Sequence, residues 1–217
     1  MFLKKYFVSY FLNLLLTLSA WAGPPNFQVH PEVVPPSGET RFAQGHLEFS
    51  LISGVFFSPF RADFLPRTST SFDYTQTEIR AGWMLNSPYE AGFFRGNFEV
   101  LLGLGGGAVF NGPGHALGNG DTFIRYNFVQ KRAAVVPYFQ LGAGLVVSDA
   151  ARDHSQRVIG RTLEANLQAG LGFRILLDSN WSLDLEAGYQ HLSNADTADR
   201  NVGVNALGGL VGVTRGF

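Results

Sequence analysis

Residues 161–175 read RTLEANLQAGLGFRI. In this stretch Leu163, Ala165, Leu167, Ala169, Leu171, Phe173 and Ile175 alternate with Thr162, Glu164, Asn166, Gln168, Gly170, Gly172 and Arg174. A strand turns successive side chains to opposite faces, whereas a helix would scatter this apolar set around its cylinder. The period of two therefore makes the segment a β-strand with one apolar and one polar face.

The same alternation recurs on either side. Thr77, Ile79, Ala81, Trp83 and Leu85 form one apolar face, and Phe94, Phe98, Val100, Leu102 and Leu104 form another, opposed by Arg95, Asn97 and Glu99. Ile124, Tyr126 and Phe128 stand against Arg125 and Asn127, and Phe139, Leu141, Ala143, Leu145 and Val147 against Gln140, Gly142 and Gly144. With Leu47 to about Ser58, Trp181 to Ser193 and about Val202 to Phe217, the chain carries eight candidate strands, the first being the least regular at SLISGVFF. Their connections alternate between short (NSPYE, QKRAA, LDSN) and long (FRADFLPRTSTS, GGGAVFNGPGHALG, SDAARDHSQRVIG, ADTADRN). An even strand number with short turns at one end and long loops at the other is the pattern of an outer-membrane barrel.

A soluble eight-stranded barrel or a two-sheet sandwich would show the same alternation with the apolar face inside. The polar face decides against it: it is rich in Gly, Asn and Gln and carries charges such as Glu164 and Arg174 that can pair across a narrow lumen. Phe217 ends the chain on the parity of Leu207, Val211 and Val213, which places an aromatic on a lipid-facing strand. The expected fold is thus all-β, an eight-stranded antiparallel transmembrane β-barrel over residues 45–217.

The start, MFLKKYFVSYFLNLLLTLSAWAGPP, has Lys4 and Lys5, an apolar run and Ala20-Trp21-Ala22. This predicts a secretory signal peptide over residues 1–22, cleaved near Ala22. Residues 23–44 hold five of the ten prolines and predict an extended lead-in. The absence of cysteine means that disulfides do not hold an exported chain together. A net charge of −1 without a basic cluster argues against nucleic acid as a partner.

GYQHLSNAD (188–196) is the stretch that carries candidate chemistry. On strand seven, Trp181, Leu183, Leu185, Ala187 and Tyr189 share one parity, and His191 and Ser193 continue it, so both point toward lipid. Alone, an H-x-S pair beside an Asp-containing turn reads as turn chemistry. Polar groups on a lipid-facing wall are costly and usually functional, which favours a nucleophile and its base.

At these residues the sequence resembles the lipid A 3-O-deacylase (PagL) family of acyloxyacyl hydrolases. The match is His191-Leu192-Ser193-Asn194-Ala195 followed by RNVGVNALGGLVGV, and it is specific over the last thirty or so residues. The resemblance implies an outer-membrane barrel with its active site on the lipid-facing exterior, and lipid A of lipopolysaccharide as substrate among the outer-membrane lipids. It implies Ser193 as nucleophile, His191 as general base, and oxyanion donors at Asn194 and Ala195, with no cofactor. The family's third member is a glutamate twelve residues after the serine, and Asn205 stands there. Its carbonyl can orient the imidazole but cannot offset imidazolium charge.

A strand pairing centred near Asp199 would set Asn205 opposite Ser193 and diagonal to His191. Asp196 and Asp199 are the competing candidates for the third role, while Glu186 has the wrong parity and is expected in the lumen with Glu164 and Arg174. His115, His154 and His191 lack metal-ligand spacing, and GLGGGAVFNGPG lacks the helix that a phosphate loop needs. The reading from a different class is a non-catalytic structural or adhesive barrel with a degenerate site; homodimerisation stays open. Either way, the mature chain is expected to fractionate with the outer membrane and to fold only in detergent or lipid, and recovery of a folded, detergent-free monomer from the periplasm would contradict this.

Overall fold

The computed structural model describes residues 38–60, 71–89 and 92–217. The signal peptide and most of the proline-rich lead-in lie outside the described residues. The strands are β1 (Leu47–Phe60), β2 (Asp73–Met84), β3 (Asn97–Asn111), β4 (Ala116–Asn127), β5 (Val135–Ser148), β6 (Leu163–Leu176), β7 (Trp181–Ser193) and β8 (Val204–Gly216). Each pairs antiparallel with the next, and β8 pairs with β1 to close the barrel.

The parity read from the sequence holds around the wall. Leu102, Leu104, Leu167 and Leu171 are among the most exposed side chains, whereas Arg80, Arg174 and Glu99 are buried. An aromatic belt marks the end with the short turns: Phe98 and Tyr126 meet edge to face at 4.9 Å, Tyr126 and Phe128 at 5.0 Å, and Phe49 and Phe217 at 5.8 Å. Such girdles sit at the membrane–water interface, where the rings are half apolar and half polar.

An eight-stranded barrel is only wide enough for side chains to fill it, and here they do so in layers. Near the short turns, Phe42, Met84, Val129 and Val136 form an apolar plug. Above it lies a charged layer. Arg174 donates to both carboxylate oxygens of Glu48 (2.9 and 2.7 Å) and to Asp184 (3.1 Å), and Arg80 donates to Glu186 (2.8 and 3.2 Å) and Glu78 (2.9 Å). The Arg125 guanidinium stacks 4.1 Å from the Tyr138 ring centroid. At the loop end Phe56, Phe72, Tyr74, Ile159, Leu192 and Val204 form a second apolar cluster.

Several expectations change. Glu164 and Arg174 do not pair: Glu164 accepts from the Gly160 and Arg161 N–H groups (both 2.9 Å) at the loop end, while Arg174 lies in the charged layer. Glu186 is in the lumen as expected, but its partner is Arg80. Residues Gly38–Arg41 of the supposed extended lead-in form a helical turn, α1. The turn directs the chain into the barrel mouth, where Phe42 is buried and Arg41 donates to Ser182 (2.9 Å). Strand β1 looked irregular because its inward Ile52 and Phe56 belong to the apolar loop-end cluster.

The long connection read between the third and fourth strands is mostly sheet. β3 and β4 pair from Asn97–Asn127 out to Ala108–Ala116, which leaves a tight turn over residues 112–115. The glycines serve close approach, since a Cβ on Gly107 would collide with the Thr75 carbonyl. β3 begins at Asn97 and not at Phe94, because Gly92–Phe94 forms a 3₁₀ turn that places Phe93 and Phe94 in the exposed aromatic zone.

The charged layer generates a stability test. Removing one partner of a buried pair leaves an uncompensated charge and costs about 3 to 5 kcal/mol. Arg174→Ala, which strands Glu48 and Asp184, is expected to lose that much in reversible urea unfolding in lipid vesicles. An unchanged midpoint would show that the layer is not what stabilises the interior.

Candidate active site

β7 runs from Trp181, in the region of the aromatic belt, to Ser193, and His191 lies ten residues along it. At roughly 3.3 Å per residue and a tilt of about 40°, that is a rise of about 25 Å, the height of the apolar band of such barrels. His191 and Ser193 therefore stand on the outer wall where hydrocarbon gives way to headgroups.

β7 and β8 pair with His191 directly opposite Asn205 and Leu192 opposite Val204. This corrects the expected register by two residues: Asn205 faces His191, and Ser193 pairs with Ala165 of β6. A two-residue slip keeps every side chain on its face, so parity could not detect it. The turn decides, with Ala195 and Asp196 both at positive φ (52° and 60°).

The direct opposition makes a hydrogen bond. His191 Nδ1 lies 2.7 Å from Asn205 Oδ1. A carboxamide oxygen only accepts, so Nδ1 is the donor of this bond, and the neutral ring that makes it keeps its lone pair on Nε2. Tyr189, two residues before His191 on the same face, donates its hydroxyl to the same Oδ1 at 2.8 Å. Sequence reading placed Tyr189 in the apolar set and missed this role. Its signal was available in the parity shared with His191 and in Tyr's habit of seeking a partner for its hydroxyl. Asn205 is 2% exposed although its parity is outward.

Ser193 is half-buried on the same face as His191, and no hydrogen bond joins the two among the described residues. Catalytic hydrogen bonds are often long without substrate and tighten when it binds. The oxyanion assignment divides. The Asn194 N–H donates to Asn201 Oδ1 (3.0 Å), and its side-chain amide donates to the Arg200 carbonyl (2.9 Å) from a buried, inward position, so Asn194 has no donor to spare. The Ala195 N–H makes no hydrogen bond among the described residues. The left-handed backbone at Ala195 is strain of the sort that gathers at functional sites.

Asp196 accepts from Asn201 Nδ2 (2.8 Å) and is not the partner of His191. His115 lies 3.2 Å from Asp149 on exposed loops, and the His115 and Ala116 N–H groups hold the Asp149 carboxyl down at about 2. His154 is exposed on the β5–β6 loop.

The lipid A 3-O-deacylase (PagL) family matches residues 37–214. The chain belongs to that family. A search of curated proteins gives no match. Among solved structures the chain resembles Neisserial surface protein A, with 14% identity and a TM-score of 0.53 over 79% of this chain and 97% of that one. It also resembles the outer membrane enzyme PagL, with 14% identity and a TM-score of 0.48 over 75% and 97%. At 14% identity the likeness to the Neisserial protein is one of fold alone, a β-barrel.

The hydrogen bond yields a spectroscopic expectation. With ¹⁵N-labelled histidine in the detergent-solubilised protein, His191 is expected as the Nδ1–H tautomer at a pH where it is neutral, and Asn205→Leu should shift it toward Nε2–H. A predominant Nε2–H form in the unsubstituted protein would overturn the pairing.

Proposed function

We propose that this protein is an outer-membrane serine esterase that removes the 3-O-linked acyl chain from lipid A. The observation that carries the reading is the His191–Asn205 hydrogen bond on the lipid-facing wall, which leaves His191 Nε2 free as a base on the face that Ser193 shares. The site's height supports the substrate class, because an ester between a fatty acid and a sugar lies at the boundary between hydrocarbon and headgroup.

A serine hydroxyl is a weak nucleophile until a base takes its proton. Ser193 Oγ attacks the ester carbonyl carbon as its proton passes to His191 Nε2. The carbonyl oxygen becomes an oxyanion toward the Ala195 N–H, and such a donor is worth about 3 to 4 kcal/mol. Collapse breaks the bond to the sugar oxygen, which leaves with the proton from Nε2 while the acyl chain stays on Ser193. Water then gives a proton to Nε2 and attacks the acyl carbonyl, releasing the fatty acid and restoring Ser193. Throughout, Asn205 keeps the ring in the tautomer that can accept at Nε2, and Tyr189 holds the carboxamide.

Mass spectrometry of lipid A from cells expressing each variant tests the assignment. Ser193→Ala and His191→Ala are expected to lose on the order of 10³-fold or more, as when a nucleophile–base unit is broken. Asn205→Ala, which leaves the ring unheld, should lose on the order of 10²-fold, the cost of small misplacement. Asn205→Glu should preserve or raise the rate. Unchanged lipid A profiles with Ser193 and His191 both replaced would leave a non-catalytic barrel as the better reading.

A further inference from the structure

Asp199 has no part in the His191 pair, and with Asp196 it faces a different space. Between the β5–β6 and β7–β8 loops lies a depression of about 480 Å³ lined by Arg157, Asp196, Thr197, Asp199 and Asn201. It begins one residue beyond Ala195, on the aqueous side of Ser193. Its volume falls within the roughly 300 to 1,000 Å³ of small-molecule sites.

The walls are held in place. Arg200 donates to the Ala151 and Asp153 carbonyls (2.8 and 2.7 Å), and Arg161 donates to the Thr197 carbonyl. The two loops also pair through their backbones, Val202 N–H to Arg157 O (3.0 Å) and Gly203 N–H to Val158 O (3.2 Å). Beneath them the buried Gln156 side chain donates to the Ile159 carbonyl (2.7 Å) and accepts from the Val158 N–H (2.6 Å). Arg161 and Arg200 are thus consumed in fixing the shape. Arg157, which lines the depression, and Asp199 make no side-chain hydrogen bond or ion pair among the described residues.

The lining has one guanidinium, two carboxylates, a carboxamide and a threonine hydroxyl. An isolated phosphate would meet a net negative surface there. Asn201 donates to Asp196 and the Thr197 hydroxyl to the Asn194 carbonyl, which leaves Asp199 and Arg157 to meet a ligand; a ring bearing several hydroxyls suits that pair, since a carboxylate only accepts and a guanidinium only donates.

We propose that this depression is the subsite for the sugar ring whose ester Ser193 cleaves. Asp199 accepts from ring hydroxyls, and Arg157 donates to ring or substituent oxygens. The inference rests on the esterase reading for its substrate class. The same loops that close the barrel end then select an acylated sugar over other lipids that share the apolar wall.

The test measures binding, so that it can fail separately from catalysis. In the Ser193→Ala protein, affinity is measured for lipid A and for phosphatidylethanolamine in mixed detergent micelles. Arg157→Ala and Asp199→Ala are each expected to weaken lipid A binding on the order of 10-fold, the usual loss of one charge-assisted hydrogen bond. Phosphatidylethanolamine binding should not change, and Asp199→Asn, which still accepts, should recover part of the loss. Unaltered lipid A affinity in both variants would overturn the subsite, as would equal losses for both lipids or no lipid A binding at all. Sugar-selective binding that depends on Arg157 and Asp199, without acyl release by the unsubstituted protein, would remove the esterase reading and keep the subsite.

Discussion

In hydrocarbon no water can satisfy a backbone N–H or C=O, so a sheet that spans the membrane must close on itself. Here the closing ladder joins β1 to β8 from Glu48–Gly216 to Phe57–Leu207. Closure puts every second side chain inside, and with eight strands the inside is too narrow for anything but side chains. The charged layer around Arg80 and Arg174 is the outcome, with each cation held by carboxylates that are themselves buried. A barrel filled in this way has no room for a lipid in its lumen. In the esterase reading, chemistry on a lipid therefore takes place on the wall.

The wall is a poor place for polar groups, and the structure compensates at one point. Past Phe57 the β1–β8 register shifts, and Phe60 pairs with Asn205. Bulges of this sort are common beside active sites, where they re-aim a side chain or end a pairing. Asn205 thereby sits between His191 on one side and β1 on the other, and it is buried in spite of its outward parity. The Tyr189 hydroxyl and the His191 ring both turn to its Oδ1, so the polar groups of this patch satisfy one another near the headgroups.

Much of this was legible in the sequence, because the strand period is two and lipid and lumen demand opposite chemistry. RTLEANLQAGLGFRI set the parity, and parity put His191, Ser193 and Asn205 on one face. Features that parity does not encode were lost. The β7–β8 register differs by two residues from the reading centred on Asp199, since both registers keep the same faces. The glycine run at 105–107 looked like a loop because it has no side chains to alternate, yet it is strand. Asn194 looked like an oxyanion donor, but its hydrogen atoms are spent on the loop fold, a long-range fact that depends on Arg200 and Asn201.

The asparagine at 205 is best understood from the same constraint. A carboxylate on the outer wall would be an ionised group at the edge of hydrocarbon during the whole resting life of the protein, and isolated charge in such a medium is expensive. An amide carries no such cost, and its dipole still orients the imidazole. In the esterase reading the cost moves to the moment when His191 holds the proton, because an amide dipole offsets imidazolium charge less than a carboxylate does. A carboxylate presents an acceptor whichever way it is turned, whereas an amide has one accepting end. Turned over, Asn205 would offer its NH₂ group to Nδ1 and favour the tautomer with the proton on Nε2, which cannot act as a base. In the orientation found, the Tyr189 hydroxyl is a second donor to Oδ1 beside the imidazole. In the esterase reading, the tyrosine two residues before the histidine adds a hydrogen bond to the amide that orients His191, where a glutamate would have supplied both orientation and electrostatic support.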